Sequence, residues 1–224
     1  MTYRRILAVG DIHGHFEKFR SAYEKAKVDA ADDLLVFLGD YIDRGPSVRR
    51  TLEFVMKLAE EKNVVLLCGN HEQMMLDYFF GGATGECWLR NGGRETMAEL
   101  LAWEKEAPGA IARVLAFLRE LPFSHTVEQE GERYFFAHAG VRPSVAFEEQ
   151  SADDLLWIRE EFYAHYAGDD IVVAGHTPTL FLDGRGKPLF LNKRIILADT
   201  GSYFPEGHVS IVDVLSRRFW QNAA

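Results

Sequence analysis

Only two cysteines, Cys68 and Cys87, stand in a chain of 224 residues, too few to staple a fold of this size. Cys68 closes the apolar run Val64-Val65-Leu66-Leu67, which predicts a small buried hydrophobe and not a reactive thiol. Long hydrophobic runs are missing too: none approaches the ~18 residues of a membrane span. The opening Met-Thr-Tyr-Arg-Arg-Ile-Leu-Ala-Val-Gly-Asp turns acidic too early for the apolar core of a secretory signal. Basic charge is in deficit, with 25 Lys+Arg against 34 Asp+Glu and a formal net charge of −9. A nucleic-acid binder needs a basic surface, and the doublets Arg4-Arg5, Arg49-Arg50, Lys193-Arg194 and Arg217-Arg218 are scattered, as solvated charge would be. There is no repeat, low-complexity tract or Pro/Ser-rich linker. These absences read as one cytoplasmic domain over 1–224 with no nucleic-acid or membrane partner; they leave the oligomeric state open.

What is present is 47% hydrophobic and 26% charged, an ordinary globular composition. One local pattern recurs. A short apolar run breaks abruptly into glycine and polar residues, as a strand covered on both faces would. The runs are Ile6–Val9, Leu34–Leu38, Val64–Leu67, Tyr134–Ala137, Ile171–Ala174 and Ile195–Ala198. They end in GDIHG, GDYIDRG, GNHE, HAG, GHT and DTG, so each places Asp, Asn or His beyond the carboxyl end of a strand, where α/β sheets bind ligands. Between the early runs, Phe16, Phe19, Tyr23 and Ala26 share one helical face, and Val48, Leu52, Val55, Met56 and Ala59 share another behind Pro46. The chain therefore opens β-α-β-α-β. Further helices are expected from His71, over Ile111–Leu121, and from the Ser151-x-x-Asp154 cap through Trp157 to Phe162. Asp183-Gly184 predicts a hairpin between Leu180–Leu182 and Leu189–Leu191, and His208–Leu215 a last strand.

The strand ends deliver Asp11, His13, Asp40, Asn70, His138 and His176, all oxygen or imidazole donors. That set suits manganese, iron or zinc better than magnesium or calcium, which prefer oxygen alone. Six donors exceed what one catalytic ion with an open position needs, and fit two ions bridged by a carboxylate, the arrangement used for displacement at phosphorus. Phosphate oxygens call for arginine, and Arg44 follows closely on Asp40. His71, directly after Asn70, is placed to protonate a leaving alkoxide, with Asp43 as the carboxylate that orients it.

GDIHG at 10–14, GDYIDRG at 39–45 and GNHE at 69–72, followed by HAG at 138–140 and GHT at 175–177, resemble the phosphoprotein phosphatase branch of the calcineurin-like metallophosphoesterases. The likeness includes small bacterial serine/threonine protein phosphatases and runs over nearly the whole chain. It implies an α/β (α+β) fold of four layers, αββα: two mixed β-sheets flanked by helices, with a dinuclear metal site at the strand C-terminal ends. It implies Asp11, His13 and Asp40 on a first divalent ion and Asp40, Asn70, His138 and His176 on a second, manganese foremost. Arg44 and a second arginine, matched here by Arg159 in Trp157-Ile158-Arg159, would bind phosphate beside Asn70 and His71. His71 with Asp43 would protonate the leaving group while metal-activated water attacks directly. Trp88-Leu89-Arg90-Asn91-Gly92-Gly93 also resembles these bacterial members, with Asn-Gly-Gly reading as a turn. After Asp199-Thr200-Gly201 the family's compact glycine-rich turn is replaced by Ser202-Tyr203-Phe204-Pro205-Glu206-Gly207-His208, so the rim of the site is expected to differ.

Three readings remain open at this point. The first is a serine/threonine protein phosphatase acting on phosphorylated proteins or small phosphoesters. The second is a symmetrical dinucleoside tetraphosphate hydrolase, which shares the motif set. The third is a silent metal-binding scaffold, against which the intact Asp43, Arg44 and His71 count.

Overall fold

The chain, described over residues 2–183 and 185–222 in a computed structural model, folds in the expected four layers. The first half runs β1 (Arg5–Val9), α1 (Phe16–Ala26), β2 (Asp33–Phe37), α2 (Val48–Leu58), β3 (Val64–Leu66) and α3 (Asn70–Phe80). Four further helices follow before the second sheet: α4 (Gly85–Trp88), a π-helical turn (Leu89–Gly93), α5 (Arg94–Glu106) and α6 (Ala110–Arg119). Then come β4 (Ser124–Gln129), β5 (Glu132–Ala137), α7 (Ala152–Trp157), α8 (Glu160–His165), β6 (Ile171–Ala174), α9 (Leu180–Asp183), β7 (Leu189–Leu191), β8 (Ile195–Leu197), β9 (Ser210–Asp213) and β10 (Arg218–Gln221). One sheet has the order β10-β9-β1-β2-β3 and the other β4-β5-β6-β8-β7. Both are mixed: in the first, β1, β2 and β3 run parallel, with Leu7 opposite Leu35, and β9 and β10 add an antiparallel side; in the second, β5, β6 and β8 run parallel between the antiparallel edges β4 and β7.

Strand alternation explains the layers, because successive side chains leave opposite faces of a strand. Ile6, Ala8, Leu34 and Val36 meet Phe136, Val173 and Ile196 in a core between the two sheets. Their neighbours Leu7, Val9, Leu35 and Phe37 pack outward under α1 and α2 with Phe19, Leu52 and Val55. On the far side Phe135, Val172 and Leu197 pack under α7 and α8 with Leu155 and Phe162. Both sheets are thus covered on both faces, which is why the runs read as uninterrupted apolar residues.

The six expected strands all form. Three expectations need correction. Leu180–Asp183 is a helical turn and no strand, and the hairpin pairs β7 with β8 in the register Leu191↔Ile195; Gly184 of the expected turn lies outside the described residues. The helix from Ser151 does not run through to Phe162: it stops at Trp157, Arg159 leaves helical geometry (φ −131°, ψ −111°), and α8 starts afresh. The last strand is shorter than expected and is followed by a further edge strand, β10. Its consecutive Phe219 and Trp220 stand between Arg218 and Gln221, and none of the four is buried, as on an edge that touches water. Arg50, Lys193, Arg217 and Arg218 are exposed, as expected of solvated charge, while Arg4 and Arg5 both bind the buried carboxylate of Asp33. Among the described residues no helix is long and apolar enough to cross a membrane.

Candidate metal centre and active site

Every motif residue sits just beyond a strand's carboxyl end, so parallel pairing of β1, β2 and β3 and of β5, β6 and β8 gathers them into one cleft. The turns that carry them are strained. His13, Asp40, Asp43, Arg44 and His176 all hold positive φ, between 47° and 70°. A left-handed non-glycine residue costs about 1–2 kcal/mol, which the burial of a few strand side chains, about 1.5–3 kcal/mol each, offsets. Strain of this kind gathers where side chains must converge.

Two groups of donors converge: His13, Asp40 and His71, and Asp40, His138 and His176, with ligand atoms in each group within 4.8 Å of one another. Asp40 is shared. His13 Nδ1 lies 2.9 Å from the Ile42 carbonyl and His138 Nδ1 lies 2.8 Å from that of Leu38, so both rings donate there and turn the Nε2 lone pair into the cleft. Asn70 Oδ1 lies 2.8 Å from His138 Nε2 and 3.0 Å from His176 Nδ1. His176 Nε2 is buried without a partner. Burial holds His13, His138 and His176 below the usual imidazole range, which keeps their lone pairs free at neutral pH.

Asp11, Asp40 and Asp199 share the same floor, each at most 2% exposed. Burial raises Asp11, and the charges of Asp199 and Asp40 raise it further. Asp199 is pushed up to about 7 by burial and by Asp40, against the Gly201 N–H that it accepts. Burial acts the same way on Asp40, but His138, His71, His13 and His176 outweigh it and hold that carboxyl below its usual range. Buried carboxylates facing buried imidazole lone pairs make a donor set that a divalent cation fits. Asp11 enters neither three-residue group; its carboxylate accepts the His176 backbone N–H, 3.1 Å from Oδ2.

His71 and Asp43 form the expected pair, with Nδ1 2.6 Å from Oδ2. The same carboxylate accepts from Trp88 Nε1 at 2.9 Å and from the Thr96 hydroxyl at 2.6 Å. Burial raises Asp43, and the bonds to His71 and Thr96 draw it back. The Asn-Gly-Gly turn serves this group: a Cβ on Gly92 would meet Arg44 Cγ at 2.7 Å, so the positive φ and the close approach both require glycine. Asn91 is a turn residue, donating to the Cys87 carbonyl at 3.0 Å, and its side chain also lines the cleft.

The cleft is a cavity of about 240 Å³ lined by Asp40, Arg44, His71, Arg159, His176 and Tyr203 among others. The break between α7 and α8 is what turns Arg159 inward, where Nη1 donates to the His176 carbonyl at 3.2 Å. Its helix neighbour Glu161 pairs with Arg142 instead. Cys68 is buried, as expected of a small hydrophobe.

The motif reading missed the residues that hold the motif. Buried Glu72 accepts from the backbone N–H groups of Gly69, Asp40, Tyr41 and Ile42, at 2.7–3.3 Å. Burial and the charge of Asp40 push it up to about 8. Its place three residues after Gly69, in the first turn of α3, was the available signal. Trp88 and Thr96 carried no signal beyond their sequence neighbourhood.

Fold and donor set together define a metal-dependent phosphoesterase. The chain belongs to the calcineurin-like phosphoesterase family, whose model matches residues 4–212. Serine/threonine-protein phosphatase 1 of Salmonella typhimurium is 32% identical over 209 residues, 91% of this chain and 89% of that protein. A symmetrical bis(5'-nucleosyl)-tetraphosphatase of Aromatoleum aromaticum is 36% identical over 138 residues, 62% of this chain but only 45% of that protein. A solved serine/threonine phosphatase from Saccharomyces cerevisiae shares the fold, with a TM-score of 0.68 at 15% identity over 98% of this chain and 80% of that one.

Proposed function

We propose that the chain is a serine/threonine protein phosphatase, hydrolysing phosphomonoesters by direct attack of water. The observation that carries this reading is the His71–Asp43 pair at 2.6 Å, opening onto the same cavity as Asp40, Arg44, Arg159 and His176. Asp11, His13 and Asp40 would hold one divalent cation, and Asp40, Asn70, His138 and His176 a second. Bound there, such ions neutralise phosphoryl oxygens and acidify water, and the mixed oxygen and imidazole donors favour manganese, with iron or zinc as alternatives.

The chain's own residues do the rest. Arg44 and Arg159 grip the phosphoryl oxygens and turn the ester oxygen toward His71. Asp43 fixes the proton on His71 Nδ1 and supports the imidazolium, so that Nε2 passes its proton to the departing alkoxide. The P–O ester bond breaks as the water oxygen bonds to phosphorus. Among the described residues lining the cavity there is no Ser or Cys to form a phosphoenzyme. Phosphorylated cytoplasmic proteins are the proposed substrates, a reading supported by the likeness to the Salmonella typhimurium phosphatase along nearly the full length of both chains.

The Aromatoleum aromaticum relative supports a second reading, hydrolysis of a dinucleoside tetraphosphate. Side-by-side rates with manganese on a phosphoserine peptide and on diadenosine tetraphosphate separate the two. Faster turnover of the peptide is expected. Faster turnover of the dinucleotide would replace the first reading with the second, and metal binding without turnover of either would leave a scaffold.

A further inference from the structure

We infer that Tyr203 and Lys18 are positioning residues that hold Arg44 aimed at the phosphate, an inference that rests on the phosphate-binding role proposed for Arg44. The Tyr203 ring lies under the guanidinium, 4.3 Å from Arg44 Cζ to the ring centroid, and meets the His13 ring edge-on at 5.2 Å. It is half-buried and lines the cavity. The guanidinium is thereby backed by the tyrosine face. An arginine side chain carries considerable rotamer entropy, and an aromatic face that pre-sets its plane lowers the cost of binding an anion.

The segment that bears Tyr203 is itself tied down. Lys18 on α1 donates to the carbonyls of Ser202, Phe204 and Gly207 at 2.7, 3.0 and 2.7 Å, so all three ammonium protons are used on one loop. Below that clamp Thr200 and His208 pair across the base of the loop, and Gly201 N–H donates to Asp199. A lysine whose whole donor capacity serves backbone carbonyls fixes loop shape, and Tyr203 is the described residue of that loop that lines the cavity. This is the segment where the chain departs from the compact glycine-rich turn of its family.

The test is the affinity of the manganese-loaded full chain for inorganic phosphate by calorimetry, alongside kcat and KM on p-nitrophenyl phosphate. Tyr203→Leu is expected to weaken phosphate binding and raise KM about fivefold with kcat changed less than twofold, the scale of a partly desolvated cation–π contact. Tyr203→Phe, which keeps the ring, should behave as wild type. Lys18→Met should reproduce the Tyr203→Leu effect, and Tyr203→Leu should add nothing in an Arg44→Ala background. Wild-type affinity in Tyr203→Leu with lost affinity in Arg44→Ala would overturn this inference and leave the function standing. Unchanged affinity in Arg44→Ala would overturn both. Equal losses in Tyr203→Phe and Tyr203→Leu would move the role to the hydroxyl and contradict the stacking argument. Should Lys18→Met fail to fold, Tyr203→Leu decides alone, because the Lys18 bonds all go to backbone carbonyls and survive it.

Discussion

On the floor of the cleft Asp11, His13, Asp40, Asn70, His138 and His176 are at most 5% exposed, whereas at its mouth Trp157 is 36% and Phe181 68% exposed. The floor is built from strand ends and held by buried polar contacts: Glu72 on the backbone of Asp40, Ile42 and Leu38 on two imidazoles, Trp88 and Thr96 on Asp43. The rim is built from loops and short helices, and its contacts are aromatic faces, Phe181 on Phe204 at 5.2 Å and Trp157 edge-on to His176 at 6.0 Å. Buried polar networks are costly to disturb and tolerate little variation, while exposed rings can change with little effect on folding. Under the proposed function the difference is a division of labour: the floor would set the reaction and the rim what is brought to it.

Removing the shared carboxylate should have the largest effect. Asp40→Ala should lose turnover on every phosphoester and bind less than the wild-type complement of manganese, measured by elemental analysis after dialysis; full metal content would break the assignment of Asp40 to both donor groups. Next comes His71→Asn, expected to lower kcat by about 10²–10⁴-fold while the metal content stays at the wild-type value. A normal kcat there would mean that the leaving oxygen takes its proton elsewhere.

A smaller effect is expected one layer behind the floor. Thr96→Val removes the hydroxyl between the Asp43 carboxylate and its own N–H, and should cost about 1–3 kcal/mol of stability in denaturant unfolding together with a fall in kcat. Smallest is the rim. Phe181→Ser should leave stability within about 0.5 kcal/mol of wild type and p-nitrophenyl phosphate turnover unchanged, while shifting KM among phosphopeptides. A loss of kcat on the small substrate would erase the distinction between floor and rim.

The same division governs what the sequence makes legible. Asp11, Asp40, Asn70, His138 and His176 could be read because each follows an apolar run directly, and a strand's carboxyl edge is a place that local pattern locates. Arg159 was found by resemblance, but the helix break that turns it inward was not, since Ile158 packs into the core and leaves the apolar spacing of a continuous helix intact. Leu180-Phe181-Leu182 is apolar enough to read as the hairpin's first strand, while exposed Phe181 owes its place to the cleft and not to a sheet. Trp88, Thr96, Lys18 and Tyr203 act across long sequence separations, Lys18 reaching carbonyls 184 to 189 residues away, and no local period records such a contact. Net charge said little about the site: at −9 overall, the chain still aims Arg44 and Arg159 into one cavity.

The most direct test of the account is a calorimetric titration of the metal-stripped chain with manganese, followed by assay on a phosphoserine peptide. Two equivalents bound per chain, with activity absent before addition and present after it, is the predicted result. A single equivalent, or peptide hydrolysis by the stripped chain at the full rate, would contradict it.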